Sequence, residues 1–153
     1  MRIESPKFEN KGDIPEKYTC DGQDISPPLS LEDVSSDAVS ISLVVDDPDA
    51  PGGTFDHWII WNIDPSLDSV PEDVPNEETV EDLGGAVQGK NGFGELGYRG
   101  PCPPPGPKHK YRFKAFALDE EMDLEPGAMK GDLQEKMDGH VLSEDVTIGF
   151  YGR

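Results

Sequence analysis

A-V-S-I-S-L-V-V-D-D, residues 38–47, decides the fold. Val39, Ile41, Leu43 and Val45 share one parity, and Ser40, Ser42 and Val44 the other, the period of two of a half-buried strand. The same parity carries Asp47 to the core side, and Pro48 stops the strand just beyond it. A carboxylate at the mouth of a buried strand is costly unless it is paired or used, which raises Asp47 above the other acids.

Outward from this strand, D-D-P-D-A-P-G-G (46–53) is a turn cluster with two Xaa-Pro bonds, either able to be cis. His57–Ile63 reads as a second strand, with His57, Ile59, Trp61 and Ile63 on one face and Trp58 and Ile60 on the other. A strand apolar on both sides is a central one. Tyr111–Leu118 is a third: Tyr111, Phe113, Ala115 and Ala117 share a face with His109, while Lys108, Lys110, Arg112 and Lys114 take the other.

Y-R-G-P-C-P-P-P-G-P-K-H-K-Y (98–111) leads into that third strand with five prolines and two glycines in fourteen residues. It is neither a helix nor the middle of a sheet. Because proline locks its own φ, the loop loses little entropy on ordering and suits the wall of a binding site.

Elsewhere the patterns are thinner. An edge strand is expected near Ile3–Phe8, followed by turns. Residues 64–97 form an acidic, Gly-rich excursion with a short strand at Ala86–Gln88. One helix is expected from Pro126 to about Asp138, with Met129, Leu133 and Met137 at four-residue spacing and Gly139 after its end. Val141–Leu142 and Val146–Tyr151 give a terminal strand. No domain boundary is visible, so residues 1–153 read as a single domain.

Fifteen prolines and 17 glycines spread along the chain favour short elements joined by turns, hence an all-β fold. The net charge of −19 excludes general nucleic-acid binding, which needs a basic footprint. It exceeds what solubility needs and points to a halophilic source, where salt screens the self-repulsion. Residues 18–89 hold 17 acids and no Lys or Arg, whereas residues 90–118 carry six cations and one acid. That basic island hints at an anionic ligand. However, parity turns four of the six outward and leaves only Lys90 and Arg99 free for one. The opening M-R-I-E-S-P lacks an apolar h-region, so a cytoplasmic location is expected. Cys20 and Cys102 are then expected to be reduced, although the sequence does not give their distance and leaves a disulfide open.

Asp47 and Asp49 on a turn, His57 and His109 at strand starts, and Tyr111 two residues on would converge if the three strong strands are neighbours. Such a set suits a phosphate or phosphoester head group. The same residues allow two His plus one carboxylate as a metal ligand set. Cys102, seven residues before His109, allows a thiolate–imidazole pair. No G-x-S-x-G elbow is present.

At D-D-P-D-A-P (46–51), D-H-W-I-I-W-N-I (56–63) and G-Y-R-G-P-C-P-P-P-G-P-K-H-K-Y (97–111) the chain resembles the phosphatidylethanolamine-binding protein family. Within it the resemblance is to the bacterial and archaeal Raf kinase inhibitor-like branch. Y-T-C-D-G (18–22), S-P-P-L (26–29) and the terminal G-F-Y-G-R extend the likeness over nearly the whole chain. The resemblance implies a Greek-key-like β-sandwich of two antiparallel sheets with a small anion pocket. Its lining would be Asp47, His57, Pro103, Pro104, His109 and Tyr111, with the peptide after Cys102 beside them. It also implies a cis Ala50–Pro51 bond. Cys102 stands where relatives often have glycine, and the long C-terminal helix of eukaryotic members has no counterpart. Kinase inhibition belongs to those eukaryotic relatives.

The expectation is therefore an all-β sandwich with one or two short helices, acting as a non-catalytic binding module. Its ligands would be phosphate-bearing small molecules or phospholipid head groups, held by Asp47, His57, Cys102, Pro103, Pro104, His109 and Tyr111, with no metal or other cofactor. A protein partner and a homodimer stay open, and stable docking on an anionic membrane is disfavoured by charge. The alternatives are an inhibitor acting on a kinase or protease, and a cysteine-dependent hydrolase using Cys102 and His109.

Overall fold

A computed structural model describes all 153 residues. Its strands are β1 (Arg2–Glu4), β2 (Gly12–Asp13), β3 (Leu29–Glu32), β4 (Ser40–Asp47), β5 (Phe55–Ile63), β6 (Ser69–Val70), β7 (Thr79–Val80), β8 (Ala86–Gln88), β9 (His109–Leu118) and β10 (Val141–Tyr151). One helix, α1 (Lys130–Met137), lies between β9 and β10. They form a three-stranded sheet, β1-β3-β6, and a seven-stranded sheet, β2-β10-β9-β4-β5-β8-β7. The protein is thus a two-sheet β structure with one short helix. All pairings are antiparallel except β2 with β10. None of its helices is long and apolar enough to cross a membrane.

The three strong strands are neighbours in the order β9-β4-β5, so their mouths meet at one end of the larger sheet. Two apolar clusters hold this sheet from opposite sides. The larger has 21 buried residues, among them Leu43, Val45, Trp58, Ile60, Tyr98, Tyr111 and Phe113, and fills the space between the sheets. The smaller joins Val44, Ile59, Trp61 and Leu118 to Leu133 and Met137 of α1. With a cluster on each face, all eight residues of β4 are buried, where alternation alone implied a half-buried strand.

Several expectations need correction. Val39 precedes β4 and is exposed, although its N–H donates to Leu118 O. The helix starts at Lys130, four residues later than Pro126 suggests. Gly127 stands at φ 88°, outside helical space, and the Asp132 carboxylate accepts the Met129 N–H to begin the helix there. β5 does not keep one parity. In its pairing with β4, Trp58 stands opposite Val45 but Asp56 opposite Asp46, so His57 is an extra residue in a β-bulge. A second irregularity, at Asn62 with φ 59°, turns Ile63 into the larger core. His57 consequently shares the between-sheet face with Trp58 and not the helix face with Ile59 and Trp61.

The acidic excursion 64–97 is exposed along most of its charged positions, yet it is pinned by single apolar anchors, Val70, Val74, Val80, Leu83 and Ala86. Gln88, fully buried on β8, is its polar anchor. Its Oε1 accepts from Trp58 Nε1 at 2.8 Å, and its Nε2 donates to Pro75 O and Glu77 O.

Candidate functional site

Where β4, β5 and β9 end together, a cleft of about 260 Å³ opens. Its lining includes all seven expected residues, Asp47, His57, Cys102, Pro103, Pro104, His109 and Tyr111. Ala50 and Pro51 of the turn also line it, as do Phe55 and Phe93.

Asp47, 3% exposed, ends β4 and uses both carboxylate oxygens. Oδ1 accepts the Asp49 N–H at 2.8 Å, and Oδ2 accepts from His109 Nδ1 at 2.7 Å. Asp49 in turn accepts the Lys110 N–H at 2.9 Å and ties the turn to the start of β9. The turn needs no cis bond: every peptide bond is trans, which corrects the expectation at Ala50–Pro51. The reversal is made instead by Gly52 and Gly53, at φ 84° and 118°.

His57 Nδ1 lies 2.7 Å from Arg99 O. A carbonyl has no proton to give, so Nδ1–H is the donor and Nε2 is the ring atom left for a ligand. Burial holds this imidazole below its ordinary range, against an opposing pull from the Arg99 carbonyl and the carboxylates of Asp47, Asp24 and Asp56. His109 has the matching arrangement, with Nδ1 on Asp47 and Nε2 left over. Both rings pack on Tyr111, His57 edge-on at 5.3 Å between centroids and His109 stacked at 6.4 Å. Burial, followed by the charge of Asp47, pushes the Tyr111 phenol up, so it stays protonated. Phe55 meets His57 at 5.1 Å and Phe93 at 4.8 Å, closing an aromatic wall.

The Pro-rich loop is fixed from behind. Arg99 N donates to His57 O, Gly100 N to Asp24 Oδ1, and Cys20 N to Pro101 O. Gly100 has no room for a side chain, because a Cβ there would run into Tyr18 O. Arg153 Nη1 donates to Pro103 O at 3.2 Å, and Arg153 O accepts the Gly106 N–H. Cys102 is bonded to Cys20, with Cα atoms 5.4 Å apart. This overturns the expectation of reduced cysteines, because distant sequence positions come within disulfide reach. It also removes the Cys102–His109 thiolate–imidazole pair, since neither sulfur is a free thiol.

Two further readings change. Arg99 is not available to an anion, because it pairs with Asp24 at 2.9 Å and Glu95 at 2.7 Å and lies over the Phe93 ring. The outward cations of β9 are not simply solvated either. Arg112 and Lys114 clamp the fully buried Asp46 at 2.7 and 2.9 Å on the helix face of the sheet, where Lys130 of α1 joins them and reaches Asp56 at 2.6 Å. Asp47 and His109 form a hydrogen-bonded pair, whereas His57 is held separately, through Nδ1, by Arg99 O. The one close-set group of potential metal-binding atoms lies at the far end of β9, in the exposed Asp119 and Glu120 and the half-buried His140.

Phe93 was missed because it stands in the aperiodic run G-K-N-G-F-G. Asn91 makes that run rigid: it donates from Nδ2 to Gly97 O and accepts the Phe93 N–H at Oδ1. A lone aromatic among glycines was the available signal.

The family described as phosphatidylethanolamine-binding protein matches residues 4–152. A UPF0098 protein of Methanothermobacter thermautotrophicus is 50% identical over 153 residues, covering 100% of this chain and 99% of that one. The fold is similar to a phosphatidylethanolamine-binding protein homolog from Chlamydia trachomatis, with a TM-score of 0.89, 40% identity and coverage of 99% and 96%. It is also similar to E. coli YbcL, described as a new member of the mammalian PEBP family, with a TM-score of 0.91, 26% identity and coverage of 99% and 98%. The chain belongs to the phosphatidylethanolamine-binding protein family.

Proposed function

We propose that the protein is a non-catalytic binding module whose cleft takes phosphate-bearing small molecules. One observation carries this reading. Two imidazoles from different strands each have Nδ1 committed inside the protein, to Asp47 and to Arg99 O, which leaves both Nε2 atoms for one occupant. Phosphate oxygens suit such convergent ring nitrogens, and the aromatic and proline walls suit a small organic substituent. No activated nucleophile stands in the cleft, because Cys102 is in a disulfide.

The test is NMR of the His57, His109 and His140 Cε1–H signals during titration with inorganic phosphate and O-phosphoethanolamine in molar salt. Saturable shifts of His57 and His109 are expected, while His140 stays still as the remote control. Motion of all three histidines together, or of none, would sink the reading.

A further inference from the structure

We propose that the cleft recognises a phosphate monoester in its monoanionic, proton-carrying form, whose P–OH donates to His57 Nε2, and that it discriminates against phosphodiesters. This rests on the phosphate reading above and names the ligand class within it.

The geometry sets the demand. His57 Nδ1–H is spent on Arg99 O at 2.7 Å, so the neutral ring offers only a lone pair at Nε2. The ring is 4% exposed, where leaving a polar atom without a partner is costly. Burial also keeps the ring from charging readily. The groups facing it are Asp47 from β4, Asp56 from its own strand, His109 and Tyr111 from β9, and Asp24 and Arg99 from loops. Three of these are carboxylates. Arg99 is already held by Asp24 and Glu95.

A phosphate dianion brings only acceptors and would set a lone pair against a lone pair, close to Asp47. A phosphodiester monoanion has the right charge but no hydroxyl. A monoester monoanion has one P–OH for His57, and its free oxygens can accept from His109 when that ring, whose Nδ1–H faces the Asp47 carboxylate, also carries a proton at Nε2. The cleft volume of about 260 Å³ and the Phe55 and Phe93 wall leave space for a small organic group on the remaining ester oxygen. An intact phospholipid presents its phosphate as a diester, so the free monoester is the better match.

The experiment uses the full chain at constant high salt, with methyl phosphate and dimethyl phosphate as probes, between pH 6.5 and 8. The second ionisation of a monoester lies near 6, so the monoanion fraction falls about tenfold per pH unit above it. The methyl phosphate affinity is expected to fall by about the same factor. Dimethyl phosphate is expected to bind at least roughly tenfold more weakly at pH 6.5, the scale of one unmet buried polar partner. Calorimetry at pH 7.5 in two buffers of different ionisation enthalpy should show uptake of about one proton per methyl phosphate bound. His57→Gln supplies an N–H donor in place of the lone pair, and its methyl phosphate profile should flatten, with circular dichroism checking the fold. Equal affinity for the two probes overturns the inference and leaves the phosphate reading standing. A methyl phosphate profile that is flat, or parallel to that of dimethyl phosphate, does the same, since it would report His109 alone. Absence of binding by both probes overturns the phosphate reading and the inference with it.

Discussion

At the scale of single residues, the positions with chemistry were legible where strand parity is undisturbed and misread where it is not. Asp47 follows the alternation of β4 straight to the cleft. His57 does not, because a bulge at its own position shifts the parity, and no residue in D-H-W-I-I-W announces that bulge. Its burial has a consequence for stability. The native imidazole titrates below the value of about 6.5 expected in the unfolded chain, so the unfolded state binds more protons across that interval. Stability should therefore be complete above about pH 6.5 and decline as the pH falls through the lowered native value. Urea midpoints measured from pH 8 to 5 will show this fall, and His57→Gln will reduce the slope in that window. An unchanged slope would mean that His57 is not the group responsible.

At the scale of elements, all three central strands and β8 could be read from period-two patterns and turn residues. What could not be read is which second layer covers each face. The serines of β4 suggest solvent, but they are buried, on the face covered by the cluster that includes Met122, Leu133 and Met137, and Asp46 is buried there with them. Burial alone would raise the Asp46 carboxyl, and the hydrogen bonds and charges of Arg112 and Lys114 outweigh it and hold the group below its ordinary value. The ion cluster joins β4, β9 and, through Lys130, α1. Replacing Asp46 by Asn would leave partly buried cations facing one another, and removing one partner of a buried pair costs about 3 kcal/mol or more. Thermal unfolding should register that loss, whereas Glu144→Gln on the exposed surface should change little. Equal effects of the two substitutions would refute a structural role for the cluster.

At the scale of the whole molecule, charge and covalent topology dominate. With a net charge of −19 and a stretch from 18 to 89 lacking Lys and Arg, mutual repulsion spreads over both sheets. Molar salt shortens the screening length to about 3 Å. The melting temperature should climb steadily from 0.1 to 2 M KCl, and a flat response would remove the case for a halophilic source. The Cys20–Cys102 bond closes a loop spanning a sequence separation of 82 and limits the unfolded chain's freedom, by about 4.5 kcal/mol in the chain-entropy account. Composition foretold the charge, but nothing in the order of residues foretold the pairing. Cys20 and Cys102 meet where Asp24, Tyr18 and Cys20 itself hold the Pro-rich loop against the 18–24 segment.

That same bond gives the chain a property unrelated to folding energy. Any backbone cut between residues 21 and 101 leaves every piece attached, because the ends of the nicked ring stay joined through sulfur. Trypsin has no site from 18 to 89, so the long peptide 18–90 should emerge from a non-reducing digest coupled to the short peptide 100–108, and part from it only on reduction. A protease that nicks the acidic surface excursion would thus leave the proline rim of the cleft tethered to the rest of the molecule.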